Sequence, residues 1–224
     1  PGFKSQRAHH ILFRQTFQMP RKPKQSRSRA TVDAIVEAGF RSVASHGTQA
    51  TTRQIAEAAG ISIGSLYEYF RNKEAIFTAM HERFIQDVVA LIQDTTPVIV
   101  QMPPDQGTRE LLTRFGAFLQ RDDARYLQAA RKLIDSDSLL YTEPIRQMLM
   151  QLVMAYVMAK PEYARVSDLK TIAYIMVNAG IFMMLHHLSD PNPPITFEQL
   201  CDGLAGIVRR HTDASSGSDA TAPG

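Results

Sequence analysis

The chain has 224 residues with 44% hydrophobic and 21% charged side chains, enough apolar material for one large or two modest buried cores. Its single cysteine, Cys201, excludes an internal disulfide framework and fits a reducing compartment. The formal net charge of +3 hides an asymmetry, because residues 1–73 carry 12 Lys/Arg against 4 Asp/Glu and residues 74–224 carry 13 against 18. Such a division arises when one part of a protein meets a polyanion and the rest does not, although a solvated charged face also produces it. Gly and Pro cluster in a few places, against a sandwich or barrel. The start of the chain lacks a long apolar leader-like run, and the longest apolar stretch, residues 171–185, is short for a bilayer span and interrupted by Asn178. A cytoplasmic protein without a membrane partner is the expectation.

Residues 1–18 show little periodicity beyond a short helical run at 11–17. Met19-Pro20-Arg21-Lys22-Pro23-Lys24 has the character of a natural start, so residues 1–18 read as an added segment or an upstream extension. Arg21, Lys22, Lys24, Arg27 and Arg29 form a basic arm that either touches phosphates or a minor groove or simply solvates the terminus. From residue 28 to residue 46, Val32, Ile35, Val36, Phe40 and Val43 recur at three- and four-residue intervals and predict an amphipathic helix stopped by Gly47.

Residues 51–73 then predict two short helices joined by a tight turn at Gly60. Thr51 or Thr52 is placed to cap the first. Ile55 and Ala59 share one face, Ala56 is small where the helices cross, and Gly60 supplies a positive φ. Ile61 and Leu66 plug the angle between the helices, and Phe70 holds the second helix to its neighbours. Ser62, Gly64, Ser65, Tyr67, Glu68 and Tyr69 remain outward, a short and mostly uncharged face that a phosphate-lined groove can approach. Gly64 permits close approach, while Ser62, Ser65, Tyr67 and Tyr69 reach bases or phosphates. Thr52, Arg53 and Lys73 are the expected anchors to phosphate groups, Lys73 at the positive end of the next helix.

The set Thr52, Ile55, Ala56, Ala59, Gly60, Ile61, Ser62, Gly64, Leu66, Tyr67, Tyr69, Phe70 and Lys73 resembles the DNA-binding region of the tetracycline-repressor-like (TetR) family. The likeness is at motif level over residues 27–80 and of architecture beyond. It implies an all-α protein: an N-terminal three-helix helix-turn-helix domain followed by a C-terminal helical bundle with a dimerisation face. It also implies Thr52, Tyr67, Tyr69 and Lys73 as DNA contacts. The departure at Ile63-Gly64-Ser65, where many relatives carry a longer polar or basic residue, bears on which bases are read.

Asn72 reads as the cap of a long helix over residues 73–95 with Ile76, Met80, Phe84, Val88 and Leu91 on one side. Pro97, Pro103 and Pro104 mark a break over residues 95–107. Helices are expected at 109–120, 123–135, 144–160, 167–188 and 197–211, with Pro144 in a first turn, Pro161 as a terminator and Ser167 as a cap. The expected division is thus an arm at 1–26, a DNA-binding domain at 27–72, an effector-binding and dimerisation domain at 73–212 and a disordered tail at 213–224.

Residues 171–185 are apolar nearly all round, so they are either the central helix of a monomer's core or shared with a partner subunit. Ala179, Gly180, Gly203 and Gly206 would let backbones approach, which favours a two-fold four-helix interface built from the last two helices. Met150, Met154 and Met158 form a ridge four residues apart, read either as gap-filling core residues or as an adaptable wall for apolar ligands. Phe115, Phe118, Tyr126, Met150, Met154, Tyr174 and Phe182 are the candidate effector contacts. No catalytic or metal-ligating set and no cofactor are expected. His186 and His187 are adjacent and point roughly 100° apart on a helix, unlike an i, i+4 metal pair. Asp122-Asp123 and Asp135/Asp137 read as helix-end or solvated carboxylates, and Cys201 as a small buried hydrophobe.

The resulting expectation is a homodimeric DNA-binding transcriptional regulator on a near-palindromic double-stranded operator, a repressor released by a small, mostly apolar effector. The alternatives are a regulator without a small-molecule switch, controlled by a protein partner, and a helical interaction module that never touches DNA.

Overall fold

The computed structural model describes residues 26–133 and 142–216. The expectations for the arm up to residue 25, for the run at 11–17, for Asp135/Asp137 and for residues 217–224 lie outside the described residues. Nine α-helices account for the architecture among these: α1 (Ser26–His46), α2 (Thr52–Ala58), α3 (Ile63–Tyr69), α4 (Lys73–Ile99), α5 (Pro104–Leu119), α6 (Arg121–Leu133), α7 (Glu143–Ala159), α8 (Leu169–Ser189) and α9 (Phe197–Ser216). Single 3-10 turns at Gly47–Gln49 and Pro161–Arg165 join α1 to α2 and α7 to α8.

The head is α1 to α3 with the first turns of α4. The α1 stripe is buried as its spacing requires, with Ile35, Val36, Phe40 and Val43 facing Ile55, Leu66, Phe70, Ile76 and Met80 in one core. Gly47 ends α1 at φ +63°. Thr51 caps α2 through a reciprocal pair: its hydroxyl accepts from the Gln54 backbone N–H at 3.2 Å, and the Gln54 side chain accepts from the Thr51 N–H at 2.9 Å. Such a cap contributes about 1 kcal/mol. Gly39 lets α1 and α4 touch, since a Cβ there would stand 2.7 Å from the Met80 sulfur.

Several helix bounds depart from the sequence reading. Helix α4 runs through Pro97 to Ile99 instead of stopping near residue 95. Proline in a helix interior costs about 3 kcal/mol. Here Ile92, Thr95 and Ile99 are buried around it, and the Thr95 and Thr96 hydroxyls donate to the Leu91 and Ile92 carbonyls at 2.6 and 2.7 Å. Packing of that last turn outweighs the lost bond. Pro104 opens α5 as a first-turn proline, so that helix begins well before residue 109. Asp168, at φ 54°, precedes α8 where Ser167 was expected to cap it, and makes no side-chain capping bond. Helix α9 continues to Ser216, past residue 211 and into the expected tail. Arg27 and Arg29 belong to α1.

The larger unit packs α9 along α5, where the Phe197 ring fills the space a Cβ on Gly116 would need. Cys201 is buried there, and burial pushes its thiol up from the ordinary value. Head and body meet through α4 and also through α6. Phe40 stands edge-on to Tyr126 with centroids 4.8 Å apart, and Arg125 Nε lies 3.3 Å from Glu37 of α1. By length and composition α8 could cross a bilayer, unlike the shorter stretch read from sequence. In the fold, one of its faces lies against α7 and the body's interior, and the other exposes Tyr174, Ile175 and Phe182.

Candidate nucleic-acid interface and ligand cavity

Ser62 begins α3 as its cap, its hydroxyl accepting from the Ser65 N–H at 3.0 Å and donating to Ser65 Oγ at 3.0 Å. Both serines are therefore held in fixed rotamers at the helix N-terminus, where free backbone N–H groups and the helix dipole favour an anion. Gly60 takes φ +70°, which only glycine adopts without strain, and this turns α3 across α2. Leu66 and Phe70 are buried, so the opposite side of α3 faces outward.

That outward side consists of Ser62, Ile63, Gly64, Tyr67 and Glu68, all exposed, with Ser65 half-buried. A Cβ at Gly64 would meet nothing nearer than Ser62 Oγ at 3.7 Å. The fold itself has no need of glycine there, so the open space is available to an approaching surface. Tyr67 is 50% exposed, and its phenol lies 3.2 Å from Thr52 Oγ1 on α2. Arg53 is exposed beside that pair.

Two expected contacts sit differently. Tyr69 is half-buried and packs against the core, because residues two apart on a helix point to nearly opposite sides. Lys73 is partly engaged: its ammonium donates to the Thr48 carbonyl at 2.9 Å and lies 5.5 Å from the Phe77 ring centroid. Ile63, 37% exposed, was not among the predicted contacts, yet its i, i+4 relation to Tyr67 places it on the same face.

The body holds a cavity of about 360 Å³ that is partly open to solvent. The Leu/Val stripe of α7 forms one wall with Leu149, Leu152, Val153 and Tyr156, and α4 forms another with Val88, Leu91 and Ile92. Phe40 of α1 and Met80 close it on the head side. Phe115 and Tyr126 line it as expected. The other candidates do not. Phe118 is buried behind them, its ring centroid 4.9 Å from that of Tyr126. Met154, Tyr174 and Phe182 are more than half exposed on the outer surface, and Met150 lines a groove there with Tyr174. The methionine ridge lies beside the α7 stripe, and since that stripe faces the cavity, the ridge faces away.

Polar groups in the cavity wall are mostly tied to protein partners. Tyr126 donates to Asp87 at 2.5 Å and Tyr156 to the Ile99 carbonyl at 2.6 Å. Burial first, then the Asp87 bond, pushes the Tyr126 phenol up to about 12, and burial followed by the Tyr163 phenol does the same for Tyr156. Lys160, one turn beyond Tyr156, donates to the Gln101 and Met102 carbonyls at 3.1 and 2.9 Å. Together Tyr156 and Lys160 fix the C-terminal end of α4.

A compact three-helix head with an exposed reading helix, joined by a long helix to a hollow bundle, defines a helix-turn-helix DNA-binding protein. Residues 35–80 match the model for bacterial regulatory proteins of the tetR family, so the head is similar to the part of those regulators that the model describes. The whole fold is similar to that of solved structures. A Mesorhizobium loti protein classed with the TetR-family transcriptional regulators is 17% identical, with a TM-score of 0.64 over 85% of this chain and 98% of that one. The regulator FadR from Bacillus subtilis, solved in complex with stearoyl-CoA, is 15% identical, with a TM-score of 0.61 over 79% and 96%. The fatty acid degradation regulator FadR from Bacillus halodurans is 18% identical, with a TM-score of 0.57 over 83% and 97%. At these identities the likeness is one of fold. No curated protein shows significant sequence similarity to the chain.

Proposed function

We propose that the chain is a homodimeric repressor that releases a near-palindromic operator when a small, mostly apolar effector fills its cavity. The observation that carries this reading is that Phe40, a residue of the reading head, also forms part of the cavity wall. An occupant therefore touches the head directly. The stearoyl-CoA held by the Bacillus subtilis neighbour lends support only for a ligand with a long acyl chain in a protein of the same fold, since its coenzyme A head is anionic. A regulator without a small-molecule switch would need no such space, and empty volume in a core lowers stability.

Ser62, Gly64, Ser65 and Tyr67 form the reading face in this proposal, with Thr52, Arg53 and Lys73 on the phosphates. Tyr69 supports α3 from behind. The expected pairing of α8 with α9 is kept, with α8 contributing Tyr174, Ile175 and Phe182, whose exposure on one protomer fits burial against a second copy. One reading helix contacts too few base pairs for useful specificity, so two-fold pairing is part of the function.

Selection of bound fragments from random duplex DNA, followed by gel-shift titration with apolar compounds that bind the protein, tests the reading. A two-fold-symmetric motif whose affinity drops at least ten-fold on ligand binding is the expected result, a coupling of about 1.4 kcal/mol. Ligands that bind without altering operator affinity would overturn the switch. Sedimentation of Phe182→Asp, expected as a monomer with weakened operator binding, tests the pairing.

A further inference from the structure

We infer that the effector is an uncharged, mainly hydrocarbon compound whose polar group is at most a hydroxyl-type donor, and that anionic amphiphiles are excluded. The inference rests on the cavity being the effector site. Among the residues whose side chains the structure describes, which leave out 130–133 of α6, the cavity wall holds no Lys, Arg, Asp or Glu. Its polar groups are threonine and tyrosine hydroxyls and the rings of His81 and His211. A carboxylate or phosphate taken into such a space would lose its hydration with no cation to replace it, which a protein interior penalises by several kcal/mol per ion.

Hydrogen-bond donors in the wall are largely committed as well. The Tyr126 proton goes to Asp87, the Tyr156 proton to the Ile99 carbonyl and the Thr108 proton to the Pro104 carbonyl at 2.7 Å. The single Thr212 hydroxyl proton is shared between the Val208 and Arg209 carbonyls. His211 Nδ1 donates to the Ile207 carbonyl at 2.9 Å. A hydroxyl that has given its proton away still offers oxygen lone pairs. The wall thus accepts hydrogen bonds more readily than it gives them, which suits an alcohol and not an oxyanion.

The rim reinforces this preference. Tyr163, half-exposed, and His211, exposed, are among the lining residues. Burial, and then the negative charges of Glu162, Asp105 and Asp213, push the Tyr163 phenol up from its ordinary value. Those carboxylates would repel an anionic headgroup lying beside Tyr163 with its chain inside. Lys160 does not offset them, because its ammonium is drawn onto the end of α4.

The test compares compounds with one chain length and different heads: dodecanol, dodecanoate and dodecanoyl-CoA. Each displaces an apolar fluorophore from the purified full chain. Dodecanol is expected to bind at least ten-fold tighter than either anion. Dodecanoate or dodecanoyl-CoA binding as tightly as the alcohol would overturn the exclusion of anions while leaving the effector site standing. Failure of all three to displace the probe would overturn the effector site itself. The exposed double variant Glu162→Lys with Asp213→Lys should narrow the ratio of alcohol to carboxylate affinity several-fold. An unchanged ratio would overturn the role of the rim.

Discussion

Thr52 Oγ1 and the Tyr67 phenol oxygen stand 3.2 Å apart, joining the first turn of α2 to the exposed side of α3. The contact fixes the orientation of a half-exposed aromatic ring that would otherwise sample several rotamers, so less order has to be created when DNA arrives. Tyr67→Ala should lower operator affinity at least ten-fold while shifting stability by about 0.5 kcal/mol or less, as for other surface changes. Fluorescence anisotropy with labelled operator and thermal melting of the same preparation separate the two effects. Affinity within two-fold of the parent would remove Tyr67 from the reading face.

Gly64 and Gly60 should respond in opposite ways. At Gly64 the added methyl meets open space, and alanine is the better helix former by about 0.5–1 kcal/mol. Gly64→Ala is expected to melt higher and bind operator more weakly, because the methyl occupies the gap between α3 and the groove. Gly60 sits at φ +70°, where an L side chain costs about 1–2 kcal/mol. Gly60→Ala should therefore melt lower. Equal operator affinity for Gly64→Ala and the parent would refute the role given to the bare backbone.

A third expectation concerns Gly107. A Cβ there would fall on the Tyr156 hydroxyl and stand 3.1 Å from the Ile99 carbonyl. Gly107→Ala must drive the phenol off that carbonyl, at a cost of about 1–3 kcal/mol for an overpacked site. Tyr156→Phe loses only the hydrogen bond, about 1 kcal/mol. Urea midpoints should rank the parent first, Tyr156→Phe second and Gly107→Ala last.

Alkaline pH should loosen the body. Tyr126 and Tyr156 have phenols raised from 10.0 to about 12, so each stays neutral in the fold while it would already ionise in the unfolded chain. The contribution is complete below pH 10.0 and disappears as pH climbs through about 12. Urea midpoints should fall across that window and fall less in Tyr156→Phe. Phenolate absorbance rising at the ordinary tyrosine pH throughout would contradict the buried hydrogen bonds.

The head was legible in the sequence because its constraints are local. The α1 stripe, a threonine cap at 51 or 52, the Asn72 cap, the Gly60 turn, the plugs Ile61 and Leu66 and the anchor Phe70 each follow from spacing within one or two helical turns. Tyr69 was misplaced by treating neighbouring aromatics as one surface, although their angular separation on a helix was available from the sequence. The cavity was less legible because it is a property of several helices at once. The methionine ridge could be recognised as separate from the α7 stripe, but which of the two faced inward depended on where α4, α5 and α8 lay. Pro97 misled for a similar reason, since distant packing decided a local question.

Helix α4 is held at both extremities: Asn72 caps its start, Tyr156 holds the Ile99 carbonyl at its last residue, and Lys160 holds the Gln101 and Met102 carbonyls just beyond. At 27 residues it is about 40 Å long. A rod so tethered resists sliding along its axis, and a swing about the far tether would have to carry the α1–α6 contact of Phe40 with Tyr126 along with it. A swing of about five degrees carries the near end through about 3.5 Å, close to the rise of one base pair. In the switch proposed above, a small adjustment deep in the body would thus be magnified into a change of register at the groove.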